Sequence, residues 1–416
     1  MKNKYIILIV IGIILRLILS FSTFHPDIRA FQLGGQIVAE GHIADLYDYL
    51  STLPKNSAII RTFSTDLFIY PPSIYLVHGL FNYIFSNLIG MTFINQFLIE
   101  DSTILGNILF NFHLILLKFP YLIFDLIAGI YLVKIFNDPK QRFFIAVLWI
   151  FNPVNLYVTY AMGQFDLIPT TLTIISLYYA LRKRLFLAAF LLGIGIAFKI
   201  YPLFLLIPLI YLGRNAIAKV GIFMLGILPY FISTLPYSLS IGYRSSALVA
   251  GQTLKSFYAQ IPISGGESLI LFPVVLVFLY LVLYYQKIHV EKLWISNFII
   301  LLIFFIFTHS HPQWFLWLTP FIIIDLVAFK FRHWLPVVLL VVSFISSLFF
   351  FDPSLTVGIF APVWPNLYGM PSVWQILKID PDYNLCRSIL QSLFTGVALF
   401  YIYFHFFLYR RKIEDE

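Results

Sequence analysis

Charge is what this chain has least of: of its 416 residues, 11% are Asp, Glu, Lys or Arg, against 60% that are hydrophobic. A water-soluble domain carries about 25% charged residues to cover its surface. That shortage excludes a soluble globule of this length. Cysteine is almost missing, and the single Cys386 rules out an intramolecular disulfide and any Cys-based zinc site. No low-complexity run and no convincing internal repeat interrupts the sequence. The net charge of +8 does not point to nucleic acid, because membrane chains gather Lys and Arg on cytoplasmic loops and position carries the information.

Present instead are apolar blocks close to the roughly 20 residues that cross a bilayer. They lie at 5–23, 114–136, 143–161, 167–181, 185–198, 202–213, 217–238, 267–286, 293–309, 313–329, 334–351 and 388–408. The first follows Lys2 and Lys4 with no small-residue cleavage site behind it, so it reads as a retained span and not as a removed signal peptide. The blocks predict an all-α polytopic membrane protein, a bundle of about 12 transmembrane helices in one integral membrane domain over residues 1–416. Residues 70–112 leave a choice. Tyr70 to Gly90 is apolar enough to enter the membrane, while Met91 to Asn111 holds Glu100 and Asp101. Either the two form a hairpin, which raises the number to 14, or the first lies re-entrant; parity is the same.

Placing both termini in the cytoplasm sorts the charges. Lys134, Lys140 and Arg142, then Arg182, Lys183 and Arg184, then Arg214 and Lys219, Lys287 and Lys292, Lys330 and Arg332, and Arg410, Arg411 and Lys412 all fall on cytoplasmic turns or tails, as the positive-inside rule expects. Three longer stretches, 24–70, 239–266 and 352–387, then become extracytoplasmic loops, the first of them the expected catalytic loop. Long connections are disproportionately functional, so the working face is predicted on the outer side of the plasma membrane.

Ionisable residues in or at the edge of spans are expensive and are functional candidates by default. Under this topology Asp27, Lys118, Asp166, Lys199, His309 and His311 all lie at the outer end of a span. Asp27, in His25-Pro26-Asp27, could act as a general base towards a hydroxyl or cap a short loop helix running to Glu40. Lys118 shares a helical face with Asp125, seven residues on; Asp125 reads as a structural acid paired to a neighbouring helix, and Lys118 as an interfacial or a functional lysine. In Gly163-Gln164-Phe165-Asp166, an amide beside a carboxylate suits sugar hydroxyls, and the plainer reading has Asp166 capping the next helix. Lys199 sits between two short blocks. Arg182 to Ala216 is about 52 Å of helix at 1.5 Å per residue, less than the roughly 60 Å of two full crossings. Its hairpin tip should lie just below the outer surface, where a lipid phosphate supplies the anion a sunken lysine needs. One long span kinked at Pro202 is the alternative. The His309-Ser310-His311 turn suits phosphate contact better than metal, since metal pairs on helices prefer i, i+4.

Taken together, His25-Pro26-Asp27 with Tyr70-Pro71-Pro72, Leu117-Lys118-Phe119-Pro120 through Asp125, Phe151-Asn152-Pro153, Gly163-Gln164-Phe165-Asp166, Phe198-Lys199-Ile200-Tyr201-Pro202 and His311-Pro312-Gln313 resemble the GT-C superfamily of polytopic glycosyltransferases. The similarity is closest to bacterial and archaeal relatives of the first mannosyltransferase of glycosylphosphatidylinositol synthesis. It runs over about residues 20–325, and the last ninety or so carry no motif of the family. The resemblance implies an inverting transfer of a sugar, mannose by analogy, from a polyprenyl-phosphate carrier to a glycan or glycolipid hydroxyl on the extracytoplasmic side. It implies Asp27 and Asp166 as catalytic acids, Lys118, Lys199, His309 and His311 as ligands of the donor phosphate, and Gln164 and Tyr70 as sugar contacts. It implies no cofactor and no required metal; the partners are the lipid-linked donor, the acceptor and the bilayer, without nucleic acid. Many relatives carry two adjacent acids in the first loop, whereas Ile28 and Arg29 follow Asp27 here.

Two other classes compete. A transporter or flippase of lipid-linked sugars would also have many spans, but such proteins commonly show repeats and midplane sites. A polysaccharide polymerase or ligase usually shows an Arg-rich outer loop, and neither 24–70 nor 352–387 is one.

Overall fold

The structure is a computed structural model that describes residues 2–248, 254–309 and 311–408. Ser310, part of the second long loop and the basic tail at Arg410, Arg411 and Lys412 lie outside the described residues. Every one of the twelve apolar blocks folds as a helix. The main ones are α1 (Lys2–Ser22), α2 (Asp27–Ala39), α3 (Ser73–Ile89), α4 (Met91–Ile99), α5 (Ile108–Ile135), α6 (Pro139–Ile150), α7 (Leu167–Leu181), α8 (Leu185–Phe198), α9 (Pro202–Tyr211), α10 (Ala216–Thr234), α11 (Leu271–Tyr285), α12 (Leu293–Phe307), α13 (Thr319–Ala328), α14 (Trp334–Leu348) and α15 (Tyr383–Tyr403). A two-stranded antiparallel hairpin, Gln260–Pro262 with Ser268–Ile270, decorates the second long loop.

Six segments are long and apolar enough to cross a membrane, and seven if the bent pair α3–α4 counts as one. The other apolar helices have 10–17 residues, short of the roughly 20 a crossing takes. The fold is therefore that of an all-α polytopic membrane protein, with fewer full-length crossings than apolar blocks. Residues 91–111 form no span of their own: α3 and α4 meet at 113° across Gly90, whose φ of +88° only glycine adopts freely, and α5 already begins at Ile108.

Side-chain pairings give the helix directions. Arg16 meets Asp125 and Thr23 meets Lys118, so α1 and α5 are antiparallel. Tyr5 packs edge-on against Phe143, and Thr23 bonds the Tyr160 carbonyl, so α1 runs parallel to α6 and its continuation to Ala161. Gly221 lies against Phe186, and Gly193 against the Gly226 carbonyl, so α8 and α10 are parallel. The intervening α9 must return between them, which makes 185–211 a hairpin and not one kinked span. Lys199 is its tip, at the same end as Asp166.

A buried network ties the first half of the bundle. Arg16 Nε donates to Asp125 Oδ2 at 2.5 Å, and Asp125 also accepts from Asn155 Nδ2 and the Tyr160 hydroxyl. Both ions are nearly inaccessible; removing one partner of such a pair costs about 3–5 kcal/mol. A second buried cluster stands near the basic turn after α13, where Asp325 Oδ2 faces His333 Nδ1 at 2.7 Å and Oδ1 faces His405 Nε2 at 3.0 Å. It fastens α13, the residue that caps α14 and the turn that continues α15 to one another.

The three long loops interlock at the end opposite those basic turns. The Tyr237 hydroxyl donates to the Ile43 carbonyl, the Gly242 N–H to Asp48, and the Ser246 hydroxyl to the Phe68 carbonyl. On the other flank the Phe24 N–H donates to the Ile359 carbonyl. Leu355 and Ile359 pack on Ala161 and Met162. All three loops thus close over one end of the bundle.

Candidate active site

The first loop turns into α2 at Pro26. Asp27 is the first residue of that helix and makes no side-chain cap hydrogen bond; the helix expected from 27 towards 40 is present, and the carboxylate points elsewhere. Gln164 Nε2 donates to Asp27 Oδ2 at 2.8 Å. The Asp27 side chain is half exposed while His25 and Gln164 beside it are buried, so one carboxylate oxygen is fixed and the group still reaches solvent. The Asp27 N–H donates to His25 Nδ1 at 3.3 Å. Burial holds the His25 imidazole below its ordinary 6.5, against the pull of Asp27 and Asp352, which suits an acceptor Nδ1.

Gln164 is delivered by a local break in the third apolar block. After Ile150 the Asn152 side chain accepts the Asn155 N–H and restarts the helix at Pro153. A π-helical stretch, Leu156–Ala161, follows, the kind of irregularity often found at functional sites. Gly163 then turns with φ +73°; a Cβ there would sit 2.8 Å from Ile28 Cδ1 and 3.3 Å from Lys118 Cε. Only glycine fits this conformation and this close approach.

Lys118 explains the floor beneath that turn. Its ammonium donates to the carbonyls of Thr23 and Tyr160, each at 2.7 Å, with Ser20 at 3.4 Å. The residue is 1% exposed. An ammonium has three donors, and all three are engaged on carbonyls at the ends of α1 and of the Leu156–Ala161 stretch.

Asp166 stands at the start of α7, fully buried and without a cap hydrogen bond. Its Oδ1 accepts from Lys199 Nζ at 2.7 Å and from Trp317 Nε1 at 2.6 Å. The anion expected for Lys199 therefore comes from the chain itself. The rings of Tyr70, Phe165, Trp314 and Trp317 surround the ammonium at 5.1–5.7 Å, and Tyr201 stacks on Trp317 at 4.1 Å. Asp166 Oδ2 and Gln164 Oε1 are buried and have no hydrogen-bond partner among the described residues. Beside the pair opens a cavity of about 90 Å3 lined by Tyr70, Lys199, Tyr201, Trp314 and Trp317.

His309 and His311 face one another across their turn, with ring centroids 6.1 Å apart. His311 Nε2 accepts from the Lys255 ammonium. Burial, helped by the neighbouring Lys255, His309 and Lys199, pushes His311 down to about 3. Among the described residues no group of three or more His, Cys, Asp and Glu side chains is arranged to hold a metal.

The structure thus gathers Asp27, Gln164, Asp166, Lys199 and Tyr70 into one contiguous site, with the histidine turn beside Trp314 and Lys118 beneath. Sequence reasoning missed Trp317, Tyr201 and Lys255. The two aromatics lie in or next to quoted motifs, so only their partners were hidden. Lys255 carries no local signal at all.

Curated relatives match short stretches of the chain. It is 32% identical to GPI mannosyltransferase 1 of Kluyveromyces lactis over 119 residues, 26% of this chain and 29% of that protein. The enzyme of the same name from Saccharomyces cerevisiae is 30% identical over 95 residues, 22% and 23% of the two chains. The one from Candida albicans is 29% identical over 100 residues, 23% and 25%. The chain therefore spans less than a third of the length of these relatives. A family model extends further, from residue 68 to residue 310, which takes in Tyr70, Gln164, Asp166 and Lys199. A match over more than half of the sequence, on a polytopic helical bundle with carboxylates, an amide and a caged lysine at one end, shows that the chain belongs to glycosyltransferase family 87.

Proposed function

We propose that this chain is an inverting mannosyltransferase that takes its sugar from a polyprenyl-phosphate carrier and delivers it to a glycan or glycolipid hydroxyl on the extracytoplasmic side of the plasma membrane. Mannose is suggested by the names of the fungal relatives. In this reading the twelve apolar helices all enter the membrane, the termini are cytoplasmic, and the loops at 24–70, 239–266 and 352–387 lie outside. The observation that carries the proposal is Asp27: a half-exposed carboxylate held by Gln164, at the rim of a buried site whose lysine and carboxylate are already paired.

The chemistry follows from those groups. The acceptor oxygen attacks the anomeric carbon as its proton passes to Asp27. The bond from that carbon to the phosphate oxygen breaks, and the electron pair leaves with the carrier phosphate. One oxygen of Asp27 is occupied by Gln164, which leaves the other to take the proton. A positioned general base contributes about 10²–10⁴-fold to such a step. Asp166 Oδ2 and Gln164 Oε1, both acceptors without donors among the described residues, suit sugar hydroxyls, because a buried unpaired acceptor costs about 1–3 kcal/mol until a donor reaches it. Tyr70 and Trp314 wall the sugar side, and Lys118 holds the Gly163 turn in register.

The test is a transfer assay with purified full-length protein, native lipids as acceptors, and three labelled donors: polyprenyl-phosphate mannose, polyprenyl-phosphate glucose and GDP-mannose. Label should leave the mannosyl lipid and enter a glycosidic bond of opposite anomeric configuration. Transfer from the nucleotide sugar, or movement of intact lipid-linked sugar across the membrane without a new bond, would contradict the proposal.

A further inference from the structure

A groove of about 780 Å3 opens beside the caged lysine, between the end of α12, the turn that follows it, and helices α14 and α15. Its walls are aromatic, including Phe305, Phe307, Phe315, Phe344, Phe351 and Phe394. Its polar rim is basic. Arg387 projects from α15 over the Phe351 ring at 5.7 Å, and His309 and His311 line the same rim. Lys255 reaches it from the second long loop through His311. No carboxylate lines the groove among the described residues. Among the described residues the Arg387 guanidinium bonds neutral groups, the Tyr383 carbonyl and Asn384. Thr308 is 2% exposed, lines the groove, and its hydroxyl has no partner among the described residues.

The contrast with Lys199 is in the charge. Lys199 is neutralised by Asp166 at 2.7 Å, so that pair presents no net charge to a ligand. Arg387 on the rim, and Lys255 bonded to His311 on that same rim, bring two basic side chains to the mouth of an apolar trough. A glycosyl phosphodiester carries a single negative charge, whereas the monoester it leaves behind carries about −1.5 to −2 at neutral pH. Fixed cations stabilise most where charge develops.

We propose that this groove holds the isoprenoid-linked phosphate of the carrier, with Lys255 and Arg387 binding the phosphate as it becomes a monoester, the Thr308 hydroxyl donating to it, and the phenylalanines lining the first isoprene units. The inference rests on the carrier-dependent transfer proposed above and assigns the leaving-group site of that reaction to residues outside the described family motifs. Arg387 lies beyond the family match, in the last ninety residues, which gives that part of the chain a role in donor handling.

The test is equilibrium binding of polyprenyl phosphate to the full-length protein in zwitterionic nanodiscs, with polyprenol as the uncharged control and phosphatidylglycerol as a diacyl anion. Polyprenyl phosphate should bind at least about tenfold more tightly than polyprenol, and added salt should narrow the gap. The double variant Lys255→Gln/Arg387→Gln should lose about tenfold or more, because both bonds to the phosphate are charge-assisted. Lys255→Arg should keep most of the affinity. Thr308→Val, which changes no charge and little volume, should lose about three- to tenfold, and it decides the matter if the double variant does not fold. Wild-type affinity in both the double variant and Thr308→Val overturns the inference, as does equal competition by phosphatidylglycerol. Sugar transfer from the carrier that is untouched by these substitutions removes the groove and leaves the transfer reading standing. Charge-dependent carrier binding without transfer from any carrier-linked sugar does the reverse.

Discussion

Removing Lys199 or Asp166 singly, and then both, probes the caged pair more sharply than any single variant. The Asp166 side chain is wholly inaccessible and that of Lys199 is 10% exposed, with 2.7 Å between Nζ and Oδ1. Lys199→Met leaves a buried carboxylate whose remaining side-chain donor among the described residues is Trp317 Nε1. Loss of one partner of a buried ion pair costs about 3–5 kcal/mol, most of it the desolvation of the charge left behind. Asp166→Asn leaves the ammonium among four aromatic rings, each worth about 0.5–2 kcal/mol to a cation. That loss should therefore fall at the lower end of the same range. Lys199→Met/Asp166→Asn removes both charges together, so it should be no less stable than the worse single variant. Thermal unfolding in detergent reads all four proteins, and Lys199→Arg should recover part of the loss, because a planar fork is not a compact ammonium. A double variant whose destabilisation equals the sum of the two singles would refute the reasoning, since additivity is what independent sites show.

Three further outcomes are expected. Gly163→Ala forces an L-residue to φ +73°, which costs about 1–2 kcal/mol; transfer should fall while donor binding is retained, and wild-type turnover would show that the turn does not position Gln164. Asn56→Cys, at an exposed position of the first loop and with Cys386 replaced, should react with an impermeant thiol reagent in intact cells; reaction only after lysis would reverse the topology. Burial holds His25 and His311 below 6.5 in the folded protein, His311 at about 3. The unfolded chain therefore takes up protons that the folded chain refuses, and stability should fall as pH drops from about 6.5 towards 3. His311→Gln should flatten that slope in unfolding measurements, and a midpoint that rises on acidification would contradict it.

The sequence displayed the elements of this fold more plainly than their relations. Each apolar block became a helix because a run of Leu, Ile and Phe in a chain with so little charge has few alternatives. Whether a helix of 10–17 residues crosses the membrane depends on depth and tilt, which periodicity does not encode. Asp125 was legible as a structural acid, but its partner Arg16 lies 109 residues away inside an otherwise ordinary first span. Lys118 was legible as an interfacial or a functional lysine; that it is buried on backbone carbonyls is something no sequence marks. The pairing of Lys199 with Asp166 spans 33 residues and depends on α8 and α9 forming a hairpin beside the start of α7. The loop helix at Asp27 followed from residue preferences; the turning of its carboxylate towards Gln164 is a tertiary outcome, set by Gly163 and by the lysine beneath it.

The most direct test of the catalytic assignment is single-turnover transfer by Asp27→Asn with donor binding measured in the same preparation. The substitution keeps the size of the side chain and removes the charge that accepts the proton. Transfer should slow by about 10²–10⁴-fold, while donor affinity and unfolding midpoint stay near wild type. Near-normal turnover would move the base to another acid, and equal loss of folding and activity would make Asp27 a structural residue.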